Sequence, residues 1–493
     1  MHFVKQTESV RRMCRKSTDR SRINIDPAFF VEKSIPLCYD VYLWGILGYT
    51  KGKGLIEMKH HIGMYIIVGL ALFSMLFGSG NLIFPPEIGI TGGTEWYKGY
   101  IAYFLADAGL GICSVFAMMK VDGDLNRLTG SIGPKGAMII NTVCIICIGP
   151  MLAIPRNAAV TFEMGISPLF GIDPSSRILR LVFSIIFFGV VLLLTIRPSK
   201  VVDILGKYLT PILVVAIAVL IIIGIAAPAA QAGAPTSDNL VKDGIFNGYQ
   251  TLDLMAGIYF SIIIIQSIRS RKLQSKREER KTAASAALIA GALLCFVYGG
   301  MAYLGATTGS QWQQQFISEE INQAGLVVNI TDALMGSFGV AFLSIIVSLA
   351  CLTTAVGLTS AAGEYFNRMI PSRSYAFMVV IICIVSAVLC NFGLSAIISI
   401  AAPILMLFYP PVMFLTLTCL GRNIFRKKNF YQFGMCICFV ISLFTVLTDT
   451  FGISALGWIH TALPLDTFGF NWVIPTAIAA AIGHFLPGPE IEV

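Results

Sequence analysis

Charge is what this chain has least of. Asp, Glu, Lys and Arg make up 13% of its 493 residues, against 56% apolar residues, which is far too little polar surface to wrap a soluble protein of that size. The five histidines form no H-E-x-x-H or related grouping. The twelve cysteines fall mostly inside apolar stretches, and Cys144-x-x-Cys147 and Cys436-x-Cys438 lack a partner pair or a histidine cluster. They read as apolar filling between helices rather than as a metal site or a disulfide framework. No G-x-S-x-G or Walker sequence stands where it would be needed. These absences weigh against a hydrolase, a metalloenzyme and an ATP-driven pump. The expectation is a protein that is not an enzyme, with no catalytic residues and no cofactor.

What the chain does have is apolar length. Runs of about 18 or more apolar residues, enough to cross about 30 Å of hydrocarbon, recur from residue 62 to the C-terminus. Twelve spans are read, which predicts an all-α integral membrane protein. The third is placed at Gly136 to Pro155, the sixth at Tyr249 to Ile268 and the eighth at Ile330 to Phe366. The eighth is too long for one straight helix, so a break or an extension into a loop is expected. Loops that share the N-terminal side hold nineteen Lys and Arg, seven of them between Arg269 and Lys281. The opposite loops hold five: Lys98, Arg156, Arg177, Arg180 and Lys242. By the positive-inside rule, both termini are expected in the cytoplasm. The net charge of +8 then reflects topology, and RSRKLQSKREERK reads as a connection beside lipid head groups rather than a nucleic-acid surface. The partners expected are a small-molecule substrate and membrane lipid, with no obligatory protein partner.

Within the first span, LFGSGNLIFPPEIG (Leu76 to Gly89) is written with helix breakers. Gly78 and Gly80 each lower helix propensity by about 1 kcal/mol relative to alanine, Ser79 and Asn81 compete with the helix for hydrogen bonds, and Pro85 and Pro86 lack the N–H. Irregular backbone survives in hydrocarbon only where protein shields it or a cavity meets it. A helix opened near Gly78 to Asn81 would turn carbonyls toward a cation and amides toward a carboxylate. That is a site for a zwitterion and its coupling ion, although small residues and Pro-Pro also suit close packing and a span end.

Two further segments keep this company. GYQTLDLMAGIYFS places Asp253 about a turn into the sixth span, followed by Gly257; Asp253 suits either an N-cap at the membrane surface or a place near a substrate amine or a gate. In VSLACLTTAVGLTS, Ala350, Thr353 and Thr354 share a helix face and offer oxygens suited to a weakly held monovalent cation. The threonines could equally bond back to their own helix. Asp107, mid-way along the second span, must face the protein interior.

Six stretches in order, LFGSGNLIFPPEIG, GPMLAIPRNAAVTFEMGISPLFG, RPSKVVDILGKYLTPIL, GYQTLDLMAGIYF, LACLTTAVGLTSAAGEYF and LSAIISIAAPILMLFYPPV, resemble the branched-chain amino acid transport system II carriers, bacterial cation symporters for leucine, isoleucine and valine. The resemblance implies a LeuT-type fold in the bacterial inner membrane: two inverted repeats of five spans, about residues 62–227 and 249–420, broken first and sixth helices, and two further helices at about 430–486. It also implies a sodium site from the Ser74, Phe77 and Ala350 carbonyls and the Thr353 and Thr354 hydroxyls. Substrate carboxylate would meet the amides of Ser79, Gly80 and Asn81 beside Gly78, and the amine would meet the Phe77 carbonyl and the opened sixth helix around Asp253 and Gly257. The side chain would pack on Tyr259 or Phe260. Sodium, or alternatively a proton, would be the coupling ion. Other small neutral amino acids, or a receptor without net transport, are the alternatives.

Residues 1–57 have no counterpart in that family, and MKHHIGMYIIVG begins with a short basic leader directly before the first span. The expectation is a transporter domain over 58–493 with Met58 as the natural start, the preceding residues arising from an upstream start or forming a disordered tail. Mass spectrometry of the native protein should find no peptide from before Met58; finding one overturns this start.

Overall fold

The computed structural model describes residues 53–196, 210–270 and 275–491. Most of the first 57 residues, and part of RPSKVVDILGKYLTPIL, lie outside the described residues. The longer helices are, in chain order, α1 (Lys53–Leu76), α2 (Ser79–Gly92), α3 (Trp96–Phe104), α4 (Leu110–Lys120), α5 (Pro134–Ile146), α6 (Ala153–Val160), α7 (Arg177–Thr195) and α8 (Thr210–Ala226). They continue as α9 (Leu240–Thr251), α10 (Asp253–Ser270), α11 (Lys276–Ala306), α12 (Gln323–Met369), α13 (Tyr375–Cys390), α14 (Leu394–Leu420), α15 (Lys428–Phe451) and α16 (Val473–Phe485). Among the described residues, eight helical stretches are long and apolar enough to cross a membrane, and four further apolar helices are shorter. In hydrocarbon a helix satisfies its own backbone, which is why apolar length becomes helix here. Polar starts are capped by side chains: Asn239, Ser275, Asn322 and Ser374 each accept an amide of their own first turn.

Five expectations change in detail. The first span does break, but only Phe77 and Gly78 leave the helix; Ser79, Gly80 and Asn81 already form the first turn of α2. Pro85 and Pro86 lie inside α2, where their missing N–H groups leave the Asn81 and Leu82 carbonyls without the usual partner four residues on. The sixth span starts at Leu240, well before Tyr249, because the polar LVKDGIFNG turn hides it from a hydropathy reading. Its break falls at Leu252, which carries a left-handed φ of 72°, rather than at Gly257. The third span runs past Pro155, which sits in the first turn of α6, a position proline tolerates. Arg156 is therefore not a loop residue: it is buried in the bundle. The eighth span keeps its expected break, at Gly336 with φ 62°.

Close backbone approach organises the packing around these breaks. A Cβ on Gly89 of α2 would stand 2.0 Å from the Ala302 carbonyl of α11, and one on Gly305 would stand 2.1 Å from the Pro86 carbonyl. The second span clasps the sixth along both of its halves in the same way. A Cβ on Gly244 would stand 2.3 Å from the Gly99 carbonyl, one on Gly248 2.7 Å from the Ala106 side chain, and one on Gly257 2.2 Å from the Ser114 hydroxyl. Small residues let membrane helices meet where no hydrophobic force drives them together. α7, by contrast, presents Ile178, Leu181, Ile185, Ile186 and Leu193 outward, as a lipid-facing stripe would.

Gly305→Ala should therefore destabilise the protein by about 1–3 kcal/mol, the range for overpacking. Gly189→Ala, on α7 with open space around it, should be neutral or slightly stabilising. Thermal melting followed by size-exclusion of the purified protein separates the two, and equal melting curves would refute the packing account.

Candidate functional site

The two breaks meet in the bundle interior. α1 closes with Phe77 N–H on the Phe73 carbonyl at 2.8 Å, and the next two amides turn away from it. Gly78 N–H donates to Asn81 Oδ1 at 2.8 Å, and Ser79 N–H donates to Asn157 Oδ1 at 3.2 Å. The last-turn carbonyls of α1 lose the partners a continuous helix would give them. At the other break, the Gln250 and Thr251 carbonyls end α9, and Arg156 takes both: Nη1 donates to Gln250 O and Nη2 to Thr251 O, the latter at 3.2 Å. Arg156 Nε donates to Ser79 Oγ at 3.3 Å, so one guanidinium ties the first break to the sixth. Three of its five N–H groups are thereby used and two remain.

Asn81 carries a second buried network. Its Nδ2 lies 3.3 Å from Asp107 Oδ2, 3.2 Å from Asp253 Oδ2 and within bonding distance of the Tyr298 hydroxyl. One amide with two hydrogens thus serves three acceptors. Asp107 sits in a π-helical turn, Leu105–Gly109, the kind of local rewinding that often marks a functional position, and it also accepts the Thr251 hydroxyl at 2.8 Å. Asp107, Asp253, Asn81, Arg156 and Tyr298 are all buried. Two carboxylates against one guanidinium leave this dry region one negative charge in excess when all three are ionised, a charge that a bound cation would balance.

A narrow cavity opens between the breaks. Arg156, Asn157, Ser79, Asn81, Asp253 and Thr354 supply its polar wall, while Met75, Leu76, Ile148, Phe260 and Leu358 supply apolar surface. Of the residues singled out from the sequence, Gly78, Ser79, Asn81, Asp253, Phe260 and Thr354 line it. Gly80 packs beside it, 3.0 Å from Arg156 Nη2 to where its Cβ would stand. Phe77 stacks on Phe73 with ring centres 5.1 Å apart.

Two residues belong elsewhere. Gly257 is the contact with Ser114, and the Tyr259 hydroxyl donates to the Asn141 carbonyl at 3.0 Å, in a separate cavity with Cys144 and Val412. With α10 beginning at Asp253, the cavity face runs through Asp253, Ala256 and Phe260, spaced as one side of a helix. Asp253 is likewise no surface cap, since the twelve residues of α9 precede it within the same span.

Around the oxygens proposed for a cation, the side-chain hydroxyls bond back to their own helices. Ser74 Oγ donates to the Ala71 carbonyl at 3.3 Å. Thr353 and Thr354 both bond back to the Ala350 carbonyl, at 2.8 and 3.1 Å, which leaves their lone pairs free to accept a cation. The Thr354 methyl stands 3.5 Å from where a Gly78 Cβ would be, so the eighth span does abut the first break. Sequence reading missed Arg156, Asn157, Thr251 and Tyr298. The signal for the first two was the polar Arg-Asn pair inside an otherwise apolar motif; Tyr298 gave none.

An all-helical bundle with broken helices meeting at a central cavity is the architecture of LeuT-type transporters, and solved structures show the same fold. A nucleobase-cation-symport-1 family transporter, Mhp1, in a closed conformation with bromovinylhydantoin bound, matches with a TM-score of 0.56 at 12% identity, covering 85% of this chain and 91% of that one. MhsT in complex with L-phenylalanine matches with a TM-score of 0.51 at 16% identity over 85% and 97% of the two chains. The sequence narrows the class further. The family model for branched-chain amino acid transport protein matches residues 62–488, and the branched-chain amino acid permease BraB of Bacillus subtilis (strain 168) is 33% identical over 446 residues, 87% of this chain and 97% of the permease. The chain belongs to the branched-chain amino acid transport protein family: it is a multi-pass membrane transporter, not an enzyme.

Arg156→Lys should raise the apparent KM for uptake by about tenfold or more, because a compact ammonium cannot reach Ser79, Gln250 and Thr251 together. Concentration-dependent uptake at matched expression measures it, and an unchanged KM would remove Arg156 from the site.

Proposed function

We propose that the chain imports leucine, isoleucine or valine across the bacterial cytoplasmic membrane by sodium-coupled alternating access, with both termini in the cytoplasm. The observation that carries this reading is that Arg156 and Asp253 line one cavity with an apolar wall. The substrate carboxylate binds the two spare guanidinium N–H groups and the start of α2 at Ser79 to Asn81, where the helix dipole adds attraction. The ammonium binds Asp253, beside the Phe77 carbonyl and the carbonyls that end α9. The aliphatic side chain lies against Phe260, Met75 and Leu358. A sodium ion sits between the Ser74 carbonyl of α1 and the Phe77 carbonyl of the break on one side and the Ala350, Thr353 and Thr354 oxygens of α12 on the other, and thereby favours the conformation in which those helices touch. The lysine and arginine asymmetry supports the orientation, and moving Arg156 out of the loops strengthens it.

A ligand shifts a conformational equilibrium only through its differential affinity for the two states, so sodium should lower the apparent KM for leucine. Thr354→Val, which keeps the shape and removes the hydroxyl, should weaken that dependence while leaving expression intact. Uptake of labelled leucine into proteoliposomes with and without a sodium gradient checks both; equal uptake rejects sodium coupling.

The shared Asn81 amide between Asp107 and Asp253 favours a second reading, in which a proton held at this pair is the coupling ion. Leucine uptake driven by a pH gradient in sodium-free buffer, abolished by Asp107→Asn, would establish it. Absence of pH-driven uptake in the unmodified protein would eliminate it. Competition by the other amino acids in the same assay reports the cargo range.

A further inference from the structure

A second cavity, of about 380 Å3, lies where α9 begins and the connection between α15 and α16 crosses it. It shares no lining residue with the central cavity. Its walls carry both signs of charge. Lys242, from the first turn of α9, lies with its ammonium 5.6 Å from the Phe246 ring centre and forms no ion pair with the described carboxylates. Asp449 and Asp466 face it from the end of α15 and from the connection, holding His460 between them with nitrogen–oxygen distances of 3.0 and 2.9 Å. Asn471 Nδ2 adds a bond to Asp466 at 3.0 Å.

Several donors on the cavity wall are left over: the Ser442 hydroxyl is buried without a partner among the described residues, and so are two aromatic donors. The Tyr249 hydroxyl and the Trp472 indole N–H are buried and have no hydrogen-bond partner among the described residues, although their residues are only 2% and 6% exposed. A buried donor left unmade costs about 1–3 kcal/mol, so the wall is built to meet an acceptor. Met406 and Pro410 provide apolar surface beside them.

We propose that this cavity is a second binding site, for a small zwitterion of the α-amino acid class, and that its occupant regulates the central site. The carboxylate accepts from Lys242 and the two aromatic donors, the ammonium faces Asp449 and Asp466, and an aliphatic side chain lies on Met406 and Pro410. The route to the centre is short and physical. Tyr249 stacks on Tyr409 with ring centres 4.4 Å apart, and the Tyr409 hydroxyl accepts the Leu254 amide at 3.3 Å, one residue beyond Asp253. An occupant bonded to Tyr249 therefore biases the ring pair that holds the start of α10, and with it the break at Leu252. This goes beyond the transport reading, and its regulatory part rests on the central leucine site of that reading.

The test is equilibrium binding of labelled L-leucine to the purified full-length protein, with three forms compared. The unmodified protein should bind two leucines per chain. Lys242→Gln combined with Trp472→Phe should retain the central one, and Arg156→Gln should retain the outer one. A stoichiometry of one in the unmodified protein, lost with Arg156→Gln, means that the second cavity holds only water or an inorganic ion; it overturns the proposal and leaves the transport reading standing. A single leucine that survives Arg156→Gln but not the outer double substitution supports the outer site and refutes the central one. A second measurement needs no variant. Release of bound label from the unmodified protein, followed after dilution, should slow by about fivefold, a typical coupling factor, when excess unlabelled leucine fills the outer site. Release that is independent of unlabelled leucine refutes the regulation.

Discussion

In a hydrocarbon interior each backbone N–H and C=O must find a partner, at a cost of several kcal/mol for each one that does not. A bundle that interrupts two of its helices at Phe77–Gly78 and at Leu252 has to answer that demand with side chains, and the rest of the site follows from how it does so. Asn81 and Asn157 take the amides that open at the first break, and Arg156 takes the carbonyls that open at the sixth. Because Arg156 also reaches Ser79, the repair of one break is bonded to the other. Leu252 holds a left-handed backbone that costs a residue with a Cβ about 1–3 kcal/mol, strain of a kind that persists where surrounding contacts over-determine it.

Those contacts come from the second span. Its small residues meet both halves of the sixth span, at Gly99 with Gly244, Ala106 with Gly248 and Ser114 with Gly257, so the break sits in a clasp that neither half could form alone. The π-helical turn at Leu105–Gly109 lies within that clasp and places Asp107 against Thr251 and Asn81. Side chains from four spans converge on the Asn81 amide and its carboxylates. Removing water from such a group strengthens every electrostatic interaction within it.

Much of this was readable from residues alone where the cause is local. GSGN followed by two prolines marks a weak helix whatever surrounds it, and the break lies there, two residues long. The forty-seven residues of the eighth span exceed any bilayer, and Gly336 is where they bend. Readings failed where one local cue had two meanings. Pro155 looked like the end of a span, so Arg156 was placed in a loop; in the structure the same proline opens a helix and the arginine is buried. Asp253 could be read as a surface cap as well as a site residue because the polar stretch ahead of it hid the first half of the sixth span; the structure keeps the second of these, on the cavity wall. Tyr259 and Gly257 were assigned to the cavity for want of a register, which depends on a break one residue wide.

The sequence by itself determined that this chain is an all-α membrane transporter of the branched-chain amino acid transport protein family: the helices because apolar run length is a property of neighbouring residues that the bilayer itself enforces, and the family because six motifs recur in order. It also determined where the first helix would weaken, because glycine and proline act through their own backbone. Only the tertiary structure decided which face of each span looks inward, that Arg156 joins the two breaks, and that Asp107 and Asp253 share one amide. Those are contacts between residues 26 and 172 positions from Asn81, and their distances are set by helices packing against one another rather than by any local pattern.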